Sequence, residues 1–267
     1  MVRALVIRTA GINCDREMIR GFQAAGALVE TVHLDALCAD PSRLEEADMI
    51  GFPGGFSYGD DIASGRIFAM RVREFLYPAL REAASRGCAM LGICNGFQVL
   101  VQSGLLPGAT DLPETPPTPT LALAQNERAR FVDDWIGMHL ETDANCIWTE
   151  GLRRSWPEDT MILPVAHGEG RLVASSDAVL DDLERHHQVV FRYTDNFNGS
   201  DRSIAGLCDP TGRILGLMPH PDRYLEWTRH PRWTRLEEMS GDPPGLAMFR
   251  GAVERLAAEQ RAATTPC

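Results

Sequence analysis

The sequence lacks the features that mark membrane, secreted and nucleic-acid-binding proteins. No apolar run in the 267 residues approaches bilayer-spanning length, and the N-terminal segment has no signal-peptide pattern. Lys and Arg number 26 against 37 Asp and Glu, and the net charge of −11 has the wrong sign for binding a phosphate backbone. The seven cysteines have no paired spacing, which is typical of a reducing compartment. We therefore expect a soluble, acidic, cytoplasmic protein without a membrane or nucleic-acid partner.

Nucleotide-binding and metal-binding motifs are also missing. Neither a P-loop nor a G-x-G-x-x-G pattern occurs, so ATP and dinucleotides are expected to bind elsewhere or not at all. The stretch 167–170 (His-Gly-Glu-Gly) has no third metal ligand at a suitable spacing, and a loop is the favoured interpretation. The sequence thus predicts no metal site.

Strand-like and helix-like segments alternate through the first hundred residues. Compact aliphatic runs predict strands and amphipathic stretches predict helices, in the order strand 4–7, helix 15–25, strand 28–34, strand 48–52, helix 66–86, strand 88–93 and helix 95–103. Asp15 is expected to cap the first helix. This alternation is typical of a doubly wound parallel sheet, in which ligands bind at the carboxyl ends of the strands.

The second half of the chain has shorter strands and fewer helices. Residues 107–119 are rich in Pro and Thr and predict a loop or an insertion. The segments predicted beyond it are strands at 121–124, 129–132, 136–140, 161–165, 172–173, 188–193, 204–208 and 213–218, and helices at 179–187 and 244–259. We predict one α/β domain over residues 1–267, with a mostly parallel central sheet, flanking helices and a mixed or antiparallel second half.

A single thiol lies between the predicted strand 88–93 and the helix that follows it. Cys94 is flanked by Gly92 and Gly96, which is the strand–turn–helix pattern of a nucleophile elbow with Cys in place of Ser. Glycine at both positions removes the side chains that would collide in so tight a turn. The N-terminus of the helix is expected to favour the thiolate. A buried core cysteine is the structural alternative, and the five residues alone do not decide between the two.

A thiol nucleophile needs a base, and His220 is the best candidate. It follows the apolar run 214–218 and stands between two prolines, with Asp222 two residues further on. In an extended segment such residues point the same way, so the carboxylate can orient the imidazole. Taken alone, the pattern favours a stiff surface turn. The elbow cysteine elsewhere in the chain favours a catalytic base.

An acyl-transfer site also needs hydrogen-bond donors for an oxyanion. The backbone N–H of Asn95 opens the helix behind the thiol, and the turn at Gly54 and Gly55 can supply a second donor from Gly55. An ordinary tight turn is the alternative for the two glycines. Cys14, after the first strand, is a further candidate for a reactive thiol, but no histidine or basic residue adjoins it in sequence.

These motifs resemble a known family. Residues 92–98 (Gly-Ile-Cys-Asn-Gly-Phe-Gln) together with 219–222 (Pro-His-Pro-Asp) are similar to the class I, triad-type glutamine amidotransferases. Five further stretches resemble the PurQ-type glutaminase subunits of phosphoribosylformylglycinamidine synthase, at 13–15, 53–60, 166–171, 198–200 and 216–223. The resemblance runs in order along nearly the whole chain.

The resemblance implies a mechanism. Cys94 would attack the side-chain amide of L-glutamine, His220 would move the protons and Asp222 would orient His220. The products are glutamate and ammonia. The oxyanion would lie between the N–H groups of Gly55 and Asn95. The expected substrate contacts are Gly54, Gln98, Asn198, Gly199 and Ser200.

The resemblance also implies partners. Ammonia would pass to a synthetase subunit that holds ATP and magnesium and converts formylglycinamide ribonucleotide to formylglycinamidine ribonucleotide. A small accessory subunit belongs to the expected complex, and this chain itself is expected to carry no cofactor.

One departure concerns the triad, because the family usually has Glu where this chain has Asp222, whose side chain is one methylene shorter. Three alternatives stay open, and only the first of them follows from this departure. The chain could be a catalytically impaired regulatory or binding subunit, an amidotransferase of another pathway, or a general hydrolase with an elbow cysteine, which the family-specific stretches disfavour.

Overall fold

The computed structural model describes residues 1–156, 162–237 and 240–264. The strands are β1 (Arg3–Arg8), β2 (Leu28–His33), β3 (Met49–Phe52), β4 (Ala89–Ile93), β5 (Leu121–Ala124), β6 (Val132–Leu140), β7 (Ile162–His167), β8 (Arg171–Ala174), β9 (Val189–Tyr193), β10 (Ile204–Cys208) and β11 (Ile214–Leu217). The α-helices are α1 (Asp15–Ala24), α2 (Leu34–Ala39), α3 (Arg66–Arg71), α4 (Tyr77–Ser85), α5 (Asn95–Ser103), α6 (Glu150–Ser155), α7 (Asp177–Arg185) and α8 (Pro244–Thr264).

Nine strands form one sheet in the order β2-β1-β3-β4-β11-β10-β9-β6-β7. The first five strands are parallel to one another, and from β11 to β7 each strand is antiparallel to the next. Strands β5 and β8 form a separate antiparallel pair. The predicted fold class, a mostly parallel central sheet with an antiparallel second part, is confirmed. In this strand order the connections from β1 and β3 leave in opposite directions, which opens a crevice at their carboxyl ends.

Burial explains why the central strands were recognisable. Every residue of β3, β4 and β11 is buried, because helices cover both faces of the parallel half. Strands of that kind are continuous apolar runs without alternation.

Several local predictions were wrong. Cys14 is the N-cap of α1, and Asp15 is the first helical residue and makes no cap. The predicted helix 66–86 is interrupted by a π-helical turn at Val72–Leu76, just before Pro78, whose missing N–H cannot make the i→i−4 bond.

Further along, residues 129–131 are not a strand, since β6 begins at Val132, and α6 was not predicted. Met161, included in one predicted strand, lies outside the described residues. In the described part of the chain no helix has the length and apolar character to cross a bilayer.

Candidate active site

Cys94 occupies the sharp turn between β4 and α5. Its backbone has φ 52° and ψ −106°, a conformation that non-glycine residues rarely adopt. The Cys94 N–H donates to the carbonyl of Leu217 on the neighbouring strand at 2.8 Å. A Cβ atom on Gly96 would lie 1.8 Å from the Phe52 carbonyl oxygen, and one on Gly92 would lie 2.7 Å from the Gly96 carbonyl oxygen. The turn therefore requires both glycines, and the strain at Cys94 is that of a nucleophile elbow.

His220 lies beside the thiol, on the segment that leaves the adjacent strand β11. The imidazole is 1% exposed, and its Nδ1–H donates to Oδ1 of Asp222 at 3.2 Å, so the shorter carboxylate does reach the ring. The backbone N–H of His220 donates to the Pro164 carbonyl at 2.7 Å. A Cβ on Gly54 would lie 2.7 Å from Cε1 of His220 and 3.5 Å from Cβ of Cys94. Thiol and imidazole thus border one small space, which only glycine at position 54 leaves open.

The backbone N–H groups of Asn95 and Gly55 are the two predicted donors to an oxyanion. The N–H of Asn95 hydrogen-bonds to the Cys94 sulfur, where it lowers the pKa of the thiol. The carbonyl of Gly54 accepts a hydrogen bond from the Cys14 N–H at 3.2 Å. Since the C=O and N–H of a trans peptide point in opposite directions, the N–H of Gly55 faces away from Cys14. No hydrogen bond from this N–H to another backbone group is found among the described residues, and its role as an oxyanion donor stays a prediction.

The surroundings of the nucleophile favour its neutral thiol form. The pKa of Cys94 is raised to about 12, chiefly by burial and to a smaller extent by the nearby Cys14 thiol, while the Asn95 N–H and the Arg223 guanidinium oppose the shift. The helix N-terminus does act in the predicted direction, since the Asn95 N–H lowers the pKa of Cys94, but desolvation of the buried thiol outweighs it. Such a thiol can attack only if its proton is taken. The ring of His220 borders the same space, and its Nε2 has no partner among the described residues, so it can accept that proton.

Comparison with known proteins decides the family. A family model described as a CobB/CobQ-like glutamine amidotransferase domain matches residues 1–255. The chain belongs to this amidotransferase family.

Within this family, the chain is similar to one particular group of relatives and solved structures. Phosphoribosylformylglycinamidine synthase subunit PurQ of Dehalococcoides mccartyi is 38% identical over 264 residues, covering 95% of this chain and 97% of the relative. The subunit of the same name from Archaeoglobus fulgidus is 37% identical, with 96% and 97% covered. A solved structure described as PurLQS from Thermotoga maritima has 32% identity and a TM-score of 0.72, with 96% of this chain and 99% of that chain covered. The predicted resemblance to PurQ-type amidotransferases is confirmed.

Gln98 joins the family-specific stretches to the helix behind the nucleophile. Its Oε1 accepts a hydrogen bond from Nδ2 of Asn95 at 3.0 Å, and its Nε2 donates to the Glu169 carbonyl. The same Asn95 Nδ2 donates to Asp60 at 3.3 Å, and the Glu169 carboxylate accepts the N–H of Ser64 at 3.0 Å. Both polar ends of the Gln98 amide are therefore engaged inside the amidotransferase, and its contact with substrate stays a prediction.

The loop 198–200 is also held internally. Nδ2 of Asn198 donates to the Gly170 carbonyl at 3.0 Å, and its Oδ1 accepts the N–H of Ser200 at 3.1 Å. The Ser200 hydroxyl accepts the N–H of Leu172 at 3.1 Å, and Gly199 has φ 80°. These side chains fix the turn against the start of β8. Because the side chains of Asn198 and Ser200 are bonded within the chain, the structure gives no support to their predicted contacts with substrate, which stay predictions.

Two features of the site were missed by reasoning from the sequence. Nη2 of Arg223 donates to the Cys14 sulfur at 3.1 Å, so the basic neighbour that Cys14 lacks in sequence is supplied by the chain 209 positions later. His167, which was predicted to lie in a loop, is the last residue of β7 and is 3% exposed; burial, with the charge of the nearby His220 as a smaller cause, lowers its pKa. Its place in the stretch 166–171 was the available signal. Among the described residues no cluster of ligands suitable for a metal ion is found.

Proposed function

We propose that this amidotransferase is the glutaminase subunit of a phosphoribosylformylglycinamidine synthase. It hydrolyses glutamine to glutamate and passes the ammonia to a synthetase subunit, which converts formylglycinamide ribonucleotide to formylglycinamidine ribonucleotide in purine biosynthesis. The support is the name carried by relatives that match nearly end to end, and the similarity to the chain in the PurLQS structure.

The proposed chemistry begins with proton transfer from the Cys94 thiol to Nε2 of His220. The sulfur forms a bond to the amide carbon of glutamine, and the oxygen becomes an anion held by the N–H groups of Gly55 and Asn95. His220 then gives its proton to the amide nitrogen, the C–N bond breaks and ammonia leaves. Water, deprotonated by His220, attacks the thioester, and the thiol departs with the return of the proton.

The observation that carries this proposal is the buried contact between His220 and Asp222 beside the elbow thiol. A carboxylate in this position fixes the Nδ1–H tautomer and stabilises the imidazolium that forms when the thiol is deprotonated. The impaired-subunit alternative was based on the short side chain of Asp222. A direct contact at 3.2 Å disfavours it.

Partners and location follow from the same proposal. The steps above need only this chain, glutamine and water, so ATP and magnesium are assigned to the synthetase subunit. A small accessory subunit completes the proposed complex. The six cysteines in the described ranges are free thiols, which suits the reducing cytoplasm as the proposed location.

The test replaces the nucleophile and changes the nitrogen source. In the complex with the synthetase subunit, Cys94→Ser is expected to abolish synthesis from glutamine and to leave synthesis from ammonium salts intact. Electrophilic glutamine analogues should label the wild-type chain at Cys94 and not the variant. Glutamine-dependent turnover by the variant would refute the assignment.

A further inference from the structure

A second buried imidazole, His167, has one ring nitrogen without a partner. The ring packs near Phe197, with centroids 5.7 Å apart, and against Gly170, where a Cβ would lie 2.2 Å from the ring. Within the described ranges of the chain, Nε2 of His167 makes no hydrogen bond. A buried polar atom left unpaired costs free energy, so a ligand is the natural source of its partner.

The protonation of His167 is fixed by Asn126. Nδ2 of Asn126 donates to the carbonyls of His167 at 2.9 Å and of Arg130 at 3.0 Å, and its Oδ1 accepts the N–H of Gly170 at 3.2 Å. These bonds set the orientation of the amide. The atom that faces Nδ1 of His167 at 3.1 Å is therefore an acceptor, and Nδ1 must carry the hydrogen. Nε2 consequently has a lone pair and can only accept.

His167 adjoins the reacting groups. The carbonyl of Ala166, one residue earlier, accepts the Cys94 S–H at 3.8 Å, and the carbonyl of Pro164 on the same strand accepts the N–H of His220. Burial, with the charge of His220 as a smaller cause, lowers the pKa of His167 to about 3. The end of β7 thus forms a wall of the catalytic space.

The two imidazoles share a tautomer and differ in what holds them. Nδ1–H of His220 faces the Asp222 carboxylate, which stabilises a positive ring, so this imidazole can take up a proton. Nδ1–H of His167 faces the neutral amide of Asn126, which gives no such stabilisation. The surroundings of His220 suit a base, and those of His167 suit a hydrogen-bond acceptor that stays neutral.

We propose that Nε2 of His167 accepts a hydrogen bond from the side-chain NH₂ of glutamine and, after C–N cleavage, from the ammonia. The inference rests on the proposed glutaminase function. The leaving nitrogen receives its one extra proton from His220. A neutral acceptor binds an N–H of the product without offering a proton, so the nitrogen leaves as NH₃ and not as ammonium. A synthetase needs the neutral form, because only NH₃ has the lone pair that attacks.

The test compares two substrates in the complex with the synthetase subunit. His167→Asn retains an N–H near the Nδ1 position, facing Asn126, and has no atom that reaches the Nε2 position. Glutamine offers N–H donors to that position, whereas glutamate γ-methyl ester releases methanol and offers none. We expect kcat/KM to fall about 10- to 100-fold on glutamine, as for a lost hydrogen bond in a buried site, and to change less than about twofold on the ester.

The possible outcomes separate the inference from the function beneath it. Equal losses on both substrates would show a structural role and overturn the inference, as would an unchanged rate on glutamine. His167→Gln, whose amide reaches the Nε2 position, should recover part of the loss on glutamine, and a failure to recover any of it would also count against the contact. If the wild-type complex does not hydrolyse glutamine, the proposed function fails instead.

Discussion

The replacement of Asp222 by Asn tests the catalytic geometry most directly. The carboxylate lies 3.2 Å from Nδ1 of His220, and both side chains are almost fully buried. An amide at position 222 can present its NH₂ to the ring, which moves the ring hydrogen to Nε2. His220 would then lack the lone pair that accepts the proton from Cys94. The substitution also removes the negative charge that stabilises the imidazolium.

The size of the effect follows from the charge. Unit charges about 4 Å apart at an effective dielectric constant of about 20 attract by about 4 kcal/mol. Loss of that attraction from the transition state slows the reaction about 1,000-fold, at about 1.4 kcal/mol for each factor of ten. Asp222→Glu keeps the carboxylate and adds one methylene to a packed site. A strain of 1–3 kcal/mol is usual for such overpacking, so a loss of about tenfold is expected.

The assay measures product formation by the complex with glutamine and, separately, with ammonium as nitrogen source. Asp222→Asn should lose the glutamine-dependent rate and retain the ammonium-dependent rate, and Asp222→Glu should resemble the wild type more closely. The reasoning fails if Asp222→Asn keeps more than about a tenth of the glutamine-dependent kcat, since the predicted loss is near 1,000-fold.

Three further predictions concern the thiol, the space beside it and the second imidazole. Because burial holds the pKa of Cys94 near 12, its labelling by iodoacetamide, followed by mass spectrometry, should rise about tenfold per pH unit from 6 to 9, and a plateau below pH 8 would contradict the neutral resting thiol. Gly54→Ala should push His220 aside and lower glutaminase activity about 100-fold. Gly168→Ala is the control, because its added Cβ has no neighbour closer than 3.8 Å, and its activity should stay within about twofold of the wild type. Similar losses in the two variants would exclude the steric explanation. Unfolded His167 binds a proton below pH 6.5, whereas the folded form does so only near pH 3, so the free energy of unfolding falls as the pH drops. In urea unfolding the wild type should therefore lose about 2 kcal/mol relative to His167→Asn between pH 7 and pH 5. A stability difference that does not depend on pH would refute the burial of His167 as a neutral ring.

The elements that could be predicted from the sequence are those whose environment leaves a local pattern. Strands buried on both faces give uninterrupted apolar runs, as in β1, β3 and β4. The elbow was recognisable because Gly92 and Gly96 are required by contacts within a few residues and with one neighbouring strand. The contact of His220 with Asp222 was predicted from an extended segment, and that basis was wrong: Asp222 lies in a 3-10 turn at Pro221–Arg223, and this turn brings its carboxylate to the ring.

Features that depend on distant contacts could not be predicted. The contact of Arg223 with Cys14 joins residues 209 positions apart, and the bond of Asn126 to His167 joins residues 41 apart. The protonation of Cys94 depends on how completely the site excludes water, which no local motif encodes. The internal use of Asn198 was missed because a polar residue in a glycine-containing loop suits a ligand contact and a loop brace equally well.

The nucleophile and its base follow two strands that pair directly. Strand β11 runs alongside β4 with Leu217 opposite Ile93, so Cys94 begins one residue beyond this ladder and His220 three residues beyond it. The distance between the thiol and the imidazole is thus set by main-chain hydrogen bonds in the middle of the sheet. Evolution can lengthen or rebuild the intervening segments, including the Pro- and Thr-rich 107–119, without re-tuning the reaction centre. Such a scaffold keeps the thiol and the imidazole together when segments outside the two strands change.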